Sequence, residues 1–269
     1  MTDTQTSLYT RCDANGVAYI ELATPQTLNA LSSQMIAALT ALFVDIAADQ
    51  DIRCVVLSGA GKAFCAGHNL KEMQAMRESP DAGARELTAL FDACAQMMTA
   101  IRTLPQPVIA QVHGVAAAAG CQLVAACDMA VAAEGTRFAV NGVNIGLFCS
   151  TPMVALSRNL PRKQAFEMLV TGDFIETNLA LEFGLINRIA EPSKLASVTR
   201  DLAEKVAAKL GTAVRLGKGA FYDQLEMPLA DAYTFTRDVM VQNMADEDTA
   251  EGITAFNEKR KPNWDITNS

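Results

Sequence analysis

Short apolar runs alternate with longer amphipathic patterns along the first two thirds of the chain. The short runs are compact and rich in β-branched residues, which predicts buried strands at 17–22, 54–57, 108–112 and 129–133. Apolar residues also recur at helical spacing from Met35 to Ile46 and from Leu87 to Ile101. These two stretches predict amphipathic helices, the second of which ends before Pro105.

The pattern changes near Pro192. Before it, predicted helices at 152–162 and 165–172 are followed by a turn and a strand between residues 179 and 189, so units of strand, turn and helix repeat. After it, the apolar spacing is only helical. The two apolar faces are formed by Leu195, Val198, Leu202 and Val206, and by Tyr233, Val239, Met240 and Met244. We therefore predict a core at residues 1–192 and a helical C-terminal subdomain at residues 193–269.

Two of the predicted strands run into turns made of small residues. GKAFCAGHNLKEM (61–73) follows the strand at 54–57, and HGVAAAAGCQL (113–123) follows the strand at 108–112 and enters a helix around Ala119. Small side chains let a ligand reach backbone N–H groups, and a helix N-terminus favours negative charge. The second run alone is equally typical of a helix that packs closely on a sheet. The two turns together favour an oxyanion site with two N–H donors.

Five motifs, in order, resemble the crotonase (enoyl-CoA hydratase/isomerase) superfamily. They are TLNAL (27–31), FCAG (64–67), HGVAAAAGCQL (113–123), CDMAVA (127–132) and EGITAFNEKRKPNW (251–264). The resemblance covers nearly the whole chain and is closest to the enoyl-CoA hydratase domain-containing protein 3 subgroup. It implies an α/β fold, the crotonase (ClpP-like) spiral of ββα turns with a C-terminal helical oligomerisation subdomain. It also implies a homotrimer or a dimer of trimers.

The resemblance assigns binding roles as well. It implies that the backbone N–H groups of His68 and Ala119 hold the thioester oxygen of an acyl-CoA substrate. Coenzyme A enters only as part of that thioester, with no tightly bound cofactor. The positions that match the family's coenzyme A contacts are Leu28, Ala30, Ala66, His68 and Lys71, together with Phe256 and Lys259, which match positions that reach a neighbouring subunit's coenzyme A.

The chain departs from the family at its acid and base. The two glutamates that activate water in the family's hydratases correspond here to Gln122 and Gly142. Neither residue exchanges a proton at neutral pH, so we expect two-glutamate hydration to be largely lost. The pattern GVNIGLFC, which contains Asn144 as a candidate catalytic residue, resembles the family's malonyl-type decarboxylases, although Cys149 stands at their tyrosine. A malonyl-type decarboxylase and a catalytically silent acyl-CoA binding protein therefore remain as alternatives to an altered hydratase or isomerase.

Composition and charge narrow the range of partners. The chain has 269 residues and a formal net charge of -8 without a clustered basic stripe, which argues against nucleic-acid binding. Its apolar runs are too short to span a bilayer, and its N-terminal sequence shows neither a signal nor a transit pattern, so we expect a cytoplasmic protein. Seven cysteines without a CxxC pair or zinc spacing indicate a reducing compartment and no metal site.

Overall fold

The computed structural model describes residues 7–264. Its strands are β1 (Tyr9–Ala14), β2 (Val17–Leu22), β3 (Cys54–Gly59), β4 (Val108–Val112), β5 (Val115–Ala117), β6 (Met129–Ala133), β7 (Arg137–Ala139), β8 (Ile175–Glu176) and β9 (Arg188–Ala190). Its helices are α1 (Ser33–Ala48), α2 (Leu70–Arg77), α3 (Ala84–Thr103), α4 (Ala119–Ala126), α5 (Pro152–Asn159), α6 (Arg162–Thr171), α7 (Thr177–Glu182), α8 (Leu195–Ala207), α9 (Gly211–Gln224), α10 (Leu229–Met244) and α11 (Glu247–Asn257). Short 3-10 helices lie at Pro25–Thr27, Asn141–Ile145 and Pro192–Lys194.

The main sheet has the strand order β1-β2-β3-β4-β6-β9. Neighbours from β2 to β9 are parallel, whereas β1 pairs antiparallel with β2. Four of the five predicted strands coincide with β2, β3, β4 and β6, because these carry the buried apolar runs, and the strand predicted between residues 179 and 189 overlaps β9. The sequence does not predict β1, whose residues are mostly exposed because it lies at the edge of the sheet. Since β3 and β4 are parallel neighbours, the turns that follow them leave from the same edge.

A smaller sheet with the order β5-β7-β8 carries the second small-residue turn. The sequence predicts no strand at 115–117 and only an irregular run at 136–146, yet β5 and β7 pair in parallel there. Three-residue strands are too short to show alternation, so only their pairing with each other defines them. The predicted turn at 179–184 is also replaced in part, because α7 ends at Glu182 and buries Ala180.

Helices cover both faces of the main sheet. All six apolar positions of the predicted 35–46 helix are buried in α1, and α3 adds Met97 and Ile101 to the same core. On the opposite face, Leu202 and Ala203 of α8 pack against Val56 of β3. The division at residue 192 stays a prediction, and α8, just beyond it, belongs to this packed layer.

A buried ion pair fastens α9 to the core. Lys218 Nζ donates to Asp128 Oδ2 at 2.7 Å and to the carbonyl oxygens of Ile101 and Gln106 at 3.0 Å each. Tyr222 also donates its hydroxyl proton to Asp128 Oδ1, over 2.8 Å. Burial lowers the pKa of Lys218, and the negative charge of Asp128 opposes that effect. Both charges are therefore compensated only while α9 stays docked.

We expect Lys218→Met to lower the free energy of unfolding by about 3 kcal/mol or more, because the Asp128 carboxylate then stays buried without its counter-ion. The exposed pair of Lys194 and Glu191 supplies the matched control. Lys194→Met should change the free energy of unfolding by at most about 1 kcal/mol. Urea denaturation followed by circular dichroism measures both values. Equal losses in the two variants would show that the buried pair contributes no more than a surface one.

Candidate active site

Backbone contacts join the two small-residue turns. In the first turn, Cys65 N donates to Val115 O at 3.3 Å and Cys65 O accepts from Ala117 N at 3.0 Å, so this turn pairs with β5. A methyl group added to Gly120 would lie 2.1 Å from Cys65 O. Only glycine therefore lets α4 begin so close to the first turn.

Gly67 brings the two predicted N–H donors to adjoining segments. A methyl group added to Gly67 would lie 3.3 Å from Ala119 N, and the φ of Gly67 is +96°, a value that glycine adopts readily. His68 follows directly, so its amide lies in the segment that touches the start of α4. Ala119 is the first residue of α4, and its N–H has no acceptor within the helix. A positive φ of +48° falls on the preceding residue, Ala118, and not on Ala119, so alanine at 119 needs no unusual backbone angle.

The turn that contains TLNAL is held against the first small-residue turn by Asn29. This side chain is fully buried, and its Nδ2 donates to Ala60 O and Ala63 O at 2.9 Å each. Its Oδ1 accepts from Thr24 N at 3.0 Å. Sequence reasoning did not single out Asn29, although it lies at the centre of the motif. Its hydrogen bonds fix the position of Ala30.

A cavity of about 590 Å³ opens beside these turns. Six predicted site residues line it, namely Ala30, Ala66, His68, Lys71, Ala119 and Gly142. The structure adds lining residues that the sequence did not indicate as site residues, among them Gln26, Thr27, Met73, Phe91 and Thr151. Gln26 and Thr27 directly precede Leu28, a predicted coenzyme A contact, so their place in that turn was the signal that could have identified them. The two large apolar residues follow a helical pattern that is typical of core packing.

The cavity offers little acid or base. Among its described lining residues there is no aspartate or glutamate, and the titratable side chains are those of His68, Lys71 and Cys149. Burial raises the pKa of the Cys149 thiol, and a hydrogen bond with the backbone of Gly142 partly offsets that rise. The thiol is therefore protonated at neutral pH. A carboxylate-based proton transfer has no residue to perform it in this wall.

The His68 ring packs beside the first small-residue turn. Burial lowers the pKa of its imidazole, although a hydrogen bond to Leu31 opposes the shift. The ring atom Nδ1 lies 3.3 Å from Leu31 O, and the ring meets Phe91 edge-on with centroids 5.6 Å apart. Because a carbonyl oxygen only accepts, Nδ1 carries the proton and the neutral ring leaves Nε2 unprotonated. Among residues 7–264, His68 Nε2 has no hydrogen-bond partner.

Gln122 is buried one helical turn after Ala119. Its exposed fraction is 4%, and its Oε1 has no hydrogen-bond partner within the described part of the chain. Residues three apart share a helix face, so the side chain lies on the same side of α4 as Ala119. It is not among the residues that line the cavity. The amide there cannot act as a general acid or base.

The segment around Gly142 leaves no room for a side chain at that position. An added Cβ would lie 2.2 Å from Leu147 O and 2.8 Å from Cys149 Sγ. The fold of this loop therefore requires a residue without a side chain at position 142. Asn144 points away from the cavity, since its Nδ2 donates to Gly172 O at 3.3 Å at the end of α6.

The remaining predicted contacts lie outside the cavity wall. The side chain of Leu28 is half-exposed, and its carbonyl accepts from Ala66 N at 3.0 Å. Phe256 is 83% exposed and lines a separate apolar hollow beside α9, α10 and α11. Lys259 follows the end of α11 with a φ of +57°. Within one chain, the structure therefore does not bring Phe256 and Lys259 to the cavity.

The described residues contain neither a metal-binding cluster nor a membrane-spanning helix. Between residues 7 and 264, no group of three or more histidine, cysteine, aspartate or glutamate side chains is placed to hold a metal ion. No helix in that same range is both long and apolar enough to cross a membrane.

Comparisons with known proteins agree with this geometry. A family model described as enoyl-CoA hydratase/isomerase matches residues 13–267. Enoyl-CoA hydratase domain-containing protein 3, mitochondrial, from Xenopus laevis is 46% identical over 250 residues, which cover 93% of this chain and 83% of that protein. A crystal structure of enoyl-CoA hydratase from Mycobacterium smegmatis is 49% identical with a TM-score of 0.92, covering 96% of this chain and 99% of that one. For human enoyl-CoA hydratase domain-containing protein 3, the crystal structure is 42% identical with a TM-score of 0.90, covering 96% and 100%.

These matches confirm both the superfamily and the subgroup that the motifs indicate, and they confirm the α/β crotonase fold. They concern whole chains, so the roles of single site residues stay predictions. The name of the Xenopus relative places that protein in mitochondria, and the cytoplasmic location of this chain likewise stays a prediction.

We expect Gly142→Ala to lower the free energy of unfolding by about 1–3 kcal/mol, because the added methyl group overlaps Leu147 O. Gly142→Glu should lose at least as much stability and gain no hydration activity. Gly217→Ala in α9 is the matched control, since nothing lies within 4 Å of its added methyl group. It should stabilise the helix by up to about 1 kcal/mol. Urea denaturation tests all three, and full stability in Gly142→Ala would contradict the tight packing of this loop.

Proposed function

Because this chain belongs to the enoyl-CoA hydratase/isomerase family, we propose that it binds acyl-CoA thioesters and stabilises their enolates without two-glutamate hydration. The observation that carries the proposal is the contact between the two small-residue turns. Gly67 approaches Ala119 N so closely that an added methyl group would lie 3.3 Å from it. The amides of His68 and Ala119 thus belong to adjoining backbone in the wall of one cavity.

Two fixed N–H donors favour a reaction in which the thioester oxygen gains charge. When the α-carbon loses carbon dioxide, or when a base takes its proton, the electron pair of the broken bond moves through the α-carbon onto that oxygen and an enolate forms. Donors that are already oriented stabilise the enolate more than the neutral thioester, which lowers the barrier. The buried position of Ala119 strengthens this effect, because little water competes for its N–H.

Coenzyme A enters this site as part of the substrate, and the proposed chemistry requires no other cofactor. At one side of the cavity, Gln26, Thr27 and Lys71 offer hydrogen bonds and one positive charge. A flexible ammonium group suits the phosphates of coenzyme A. The contacts of Phe256 and Lys259 with a neighbouring coenzyme A remain part of the proposal, since they require a second subunit.

The absence of aspartate and glutamate from the described wall of the cavity limits the reactions that we propose for this site. Classical hydration needs an acid and a base near the β-carbon, and the described lining residues hold no glutamate or aspartate. Reactions that depend mainly on enolate stabilisation are therefore favoured, within the lyase class or, with a proton acceptor other than a carboxylate, the isomerase class. Decarboxylation of a malonyl-type thioester needs no general base, and silent binding needs no chemistry, so the same experiment has to separate these alternatives.

A mass-spectrometric turnover screen tests the proposal. Purified protein is incubated with crotonyl-, longer enoyl-, 3-hydroxyacyl- and methylmalonyl-CoA, and we expect turnover of at least one thioester with little hydration of crotonyl-CoA. Gly67→Ala should slow that turnover by about 100-fold, because its methyl group pushes the two turns apart and disturbs one donor. Gln122→Glu should raise crotonyl-CoA hydration, by at most about 100-fold, since it returns one of two carboxylates.

Gly217→Ala serves as the control and should keep the wild-type rate. Loss of carbon dioxide from methylmalonyl-CoA would identify the decarboxylase. Binding of acyl-CoA without turnover of any thioester would favour the silent binding protein and contradict enolate chemistry. Crotonyl-CoA hydration by the wild type at a rate that Gln122→Glu does not raise would show that the missing glutamates do not limit the site.

We also propose that the C-terminal helices join copies of this chain into a trimer or a dimer of trimers. Large apolar side chains on α10 are exposed in the single chain, among them Leu229, Tyr233 and Met240. Monomeric proteins rarely leave such patches uncovered. Light scattering after gel filtration should give the mass of three or six chains, and Tyr233→Lys with Met240→Lys should yield smaller species. Val44→Lys, which changes an exposed apolar residue of α1, should not, and a monomeric wild type would refute the assembly.

A further inference from the structure

Three titratable side chains line the described wall of the cavity, and they differ in their capacity to accept a proton. The ammonium group of Lys71 has no lone pair, and the thiol of Cys149 keeps its proton at neutral pH. The imidazole of His68 retains one unprotonated nitrogen, Nε2, as described above. We propose that His68 Nε2 is the base that removes a proton from the carbon next to the thioester carbonyl. The inference rests on the enolate chemistry proposed above and names its proton acceptor.

Fixed neighbours orient the imidazole ring before a ligand binds. Nδ1 lies 3.3 Å from Leu31 O, and the ring of Phe91 on α3 meets the imidazole with an angle of 73° between the two ring planes. Leu31 is tied to the same turn as His68, because its own N–H donates to Gly67 O at 2.8 Å. The contact at Nδ1 therefore decides which ring nitrogen carries the proton and leaves Nε2 as an acceptor.

Packing alone does not account for an imidazole at this position. An apolar ring of similar size could lie against Phe91 without leaving a buried nitrogen unpaired, which is unfavourable. Leu31 O does not depend on the imidazole either, since it also accepts from Asn69 N at 3.4 Å. Within the described part of the chain, Nε2 is buried without a partner. A ligand that enters the cavity can supply that partner, and a catalytic role is one of the reasons why such atoms persist in folded proteins.

The surroundings of the ring keep Nε2 free of a proton. Burial lowers the pKa of the imidazole, and the hydrogen bond with Leu31 and the negative charge of Glu72 oppose this shift only in part. The ring is therefore neutral at neutral pH. Met73 and Phe91, which also line the cavity, add no charge. Because Nε2 is shielded from water, an imidazolium formed there attracts the enolate beside it strongly.

The oxygen-binding amide and the proposed base belong to one residue. The proposed function places the thioester oxygen at His68 N, and the carbon that loses its proton is bonded to the carbonyl carbon of that same group. Only the His68 side chain separates its backbone N from Nε2, and the residue lines the cavity. The amide therefore brings the acidic C–H of the thioester into the neighbourhood of the ring. Contacts of catalytic bases commonly tighten in the substrate complex, so we expect the contact at Nε2 to form as the acyl group enters.

The proposed step needs no other reactant. The C–H bond next to the carbonyl breaks, its proton forms an N–H bond at Nε2, and its electron pair moves onto the thioester oxygen held by the amides of His68 and Ala119. With a 3-enoyl thioester, the enolate is conjugated with the double bond and takes the proton back at the γ-carbon. The N–H bond at Nε2 then breaks, the double bond lies between the α- and β-carbons, and the ring is neutral again.

Isomerisation of 3-hexenoyl-CoA to 2-hexenoyl-CoA, followed by proton NMR, tests the inference. We expect the wild type to catalyse it, and His68→Gln, which keeps the backbone amide, to lower kcat by about 100-fold or more. The affinity for hexanoyl-CoA in calorimetric titration should change by less than about threefold, because the ring acts in proton transfer and not in binding. His113→Gln is the matched control and should keep the wild-type rate. This second histidine lies outside the cavity wall, with its Nε2 2.9 Å from Gly61 O.

An isotopic label tests the base without any variant. When 3-hexenoyl-CoA carries deuterium at the α-carbon, a single base shielded from water should deliver part of that deuterium to the γ-carbon in ordinary water. Absence of deuterium there would show that water or a second group delivers the proton, and the inference would be wrong. A wild-type rate in His68→Gln, or a loss of hexanoyl-CoA affinity as large as the loss of kcat, would also contradict it.

Further outcomes separate this inference from the proposed function. Decarboxylation of methylmalonyl-CoA without any isomerisation of 3-hexenoyl-CoA would overturn His68 as the base and leave enolate stabilisation intact. Binding of acyl-CoA without turnover of any thioester would overturn both.

Discussion

Close approach between two stretches of backbone is the constraint on which the site depends. The parallel neighbours β3 and β4 end at one edge of the main sheet, so the turns that follow them start side by side. A side chain on Gly120 would overlap Cys65 O, and one on Gly67 would press on the start of α4. The amides of His68 and Ala119, which we propose as N–H donors, therefore lie in closely packed backbone between a sheet and a helix, so their orientation is set before a ligand binds.

Close packing also explains why glycine stands at position 142. At Gly142, the carbonyl of Leu147 and the sulfur of Cys149 occupy the volume that a side chain would need. On the facing helix, Gln122 keeps the shape of a glutamate but not its proton chemistry, and it is buried with an unpaired oxygen. Both positions lie beside the same cavity, because the loop with Gly142 lines it and α4, which carries Gln122, contributes Ala119 to its wall. The described wall of the cavity is thus largely apolar and holds no carboxylate.

The C-terminal helices are tied to this arrangement through the core. Asp128 lies between α4 and β6, and it pairs with Lys218 of α9. The segment that follows α4 therefore also anchors α9, the first of the C-terminal helices that we propose to join the subunits. Because α8 covers the outer face of the main sheet, the sheet that positions the turns is buried on both sides.

The sequence alone determined those strands and helices whose local apolar pattern is enough to identify them. Buried β-branched runs gave β2, β3, β4 and β6, helical spacing gave α1 and α3, and the order of motifs gave the family, because these signals are local or are carried by residue identity. The sequence did not predict β5 and β7, which exist only through their mutual pairing, or the role of Asn29, whose partners are distant in the chain. It placed Asn144 among the catalytic candidates, although that side chain binds Gly172 O outside the cavity. Only the tertiary structure decided that Gly142 has no room for a side chain, since the obstructing atoms come from the way the loop folds back.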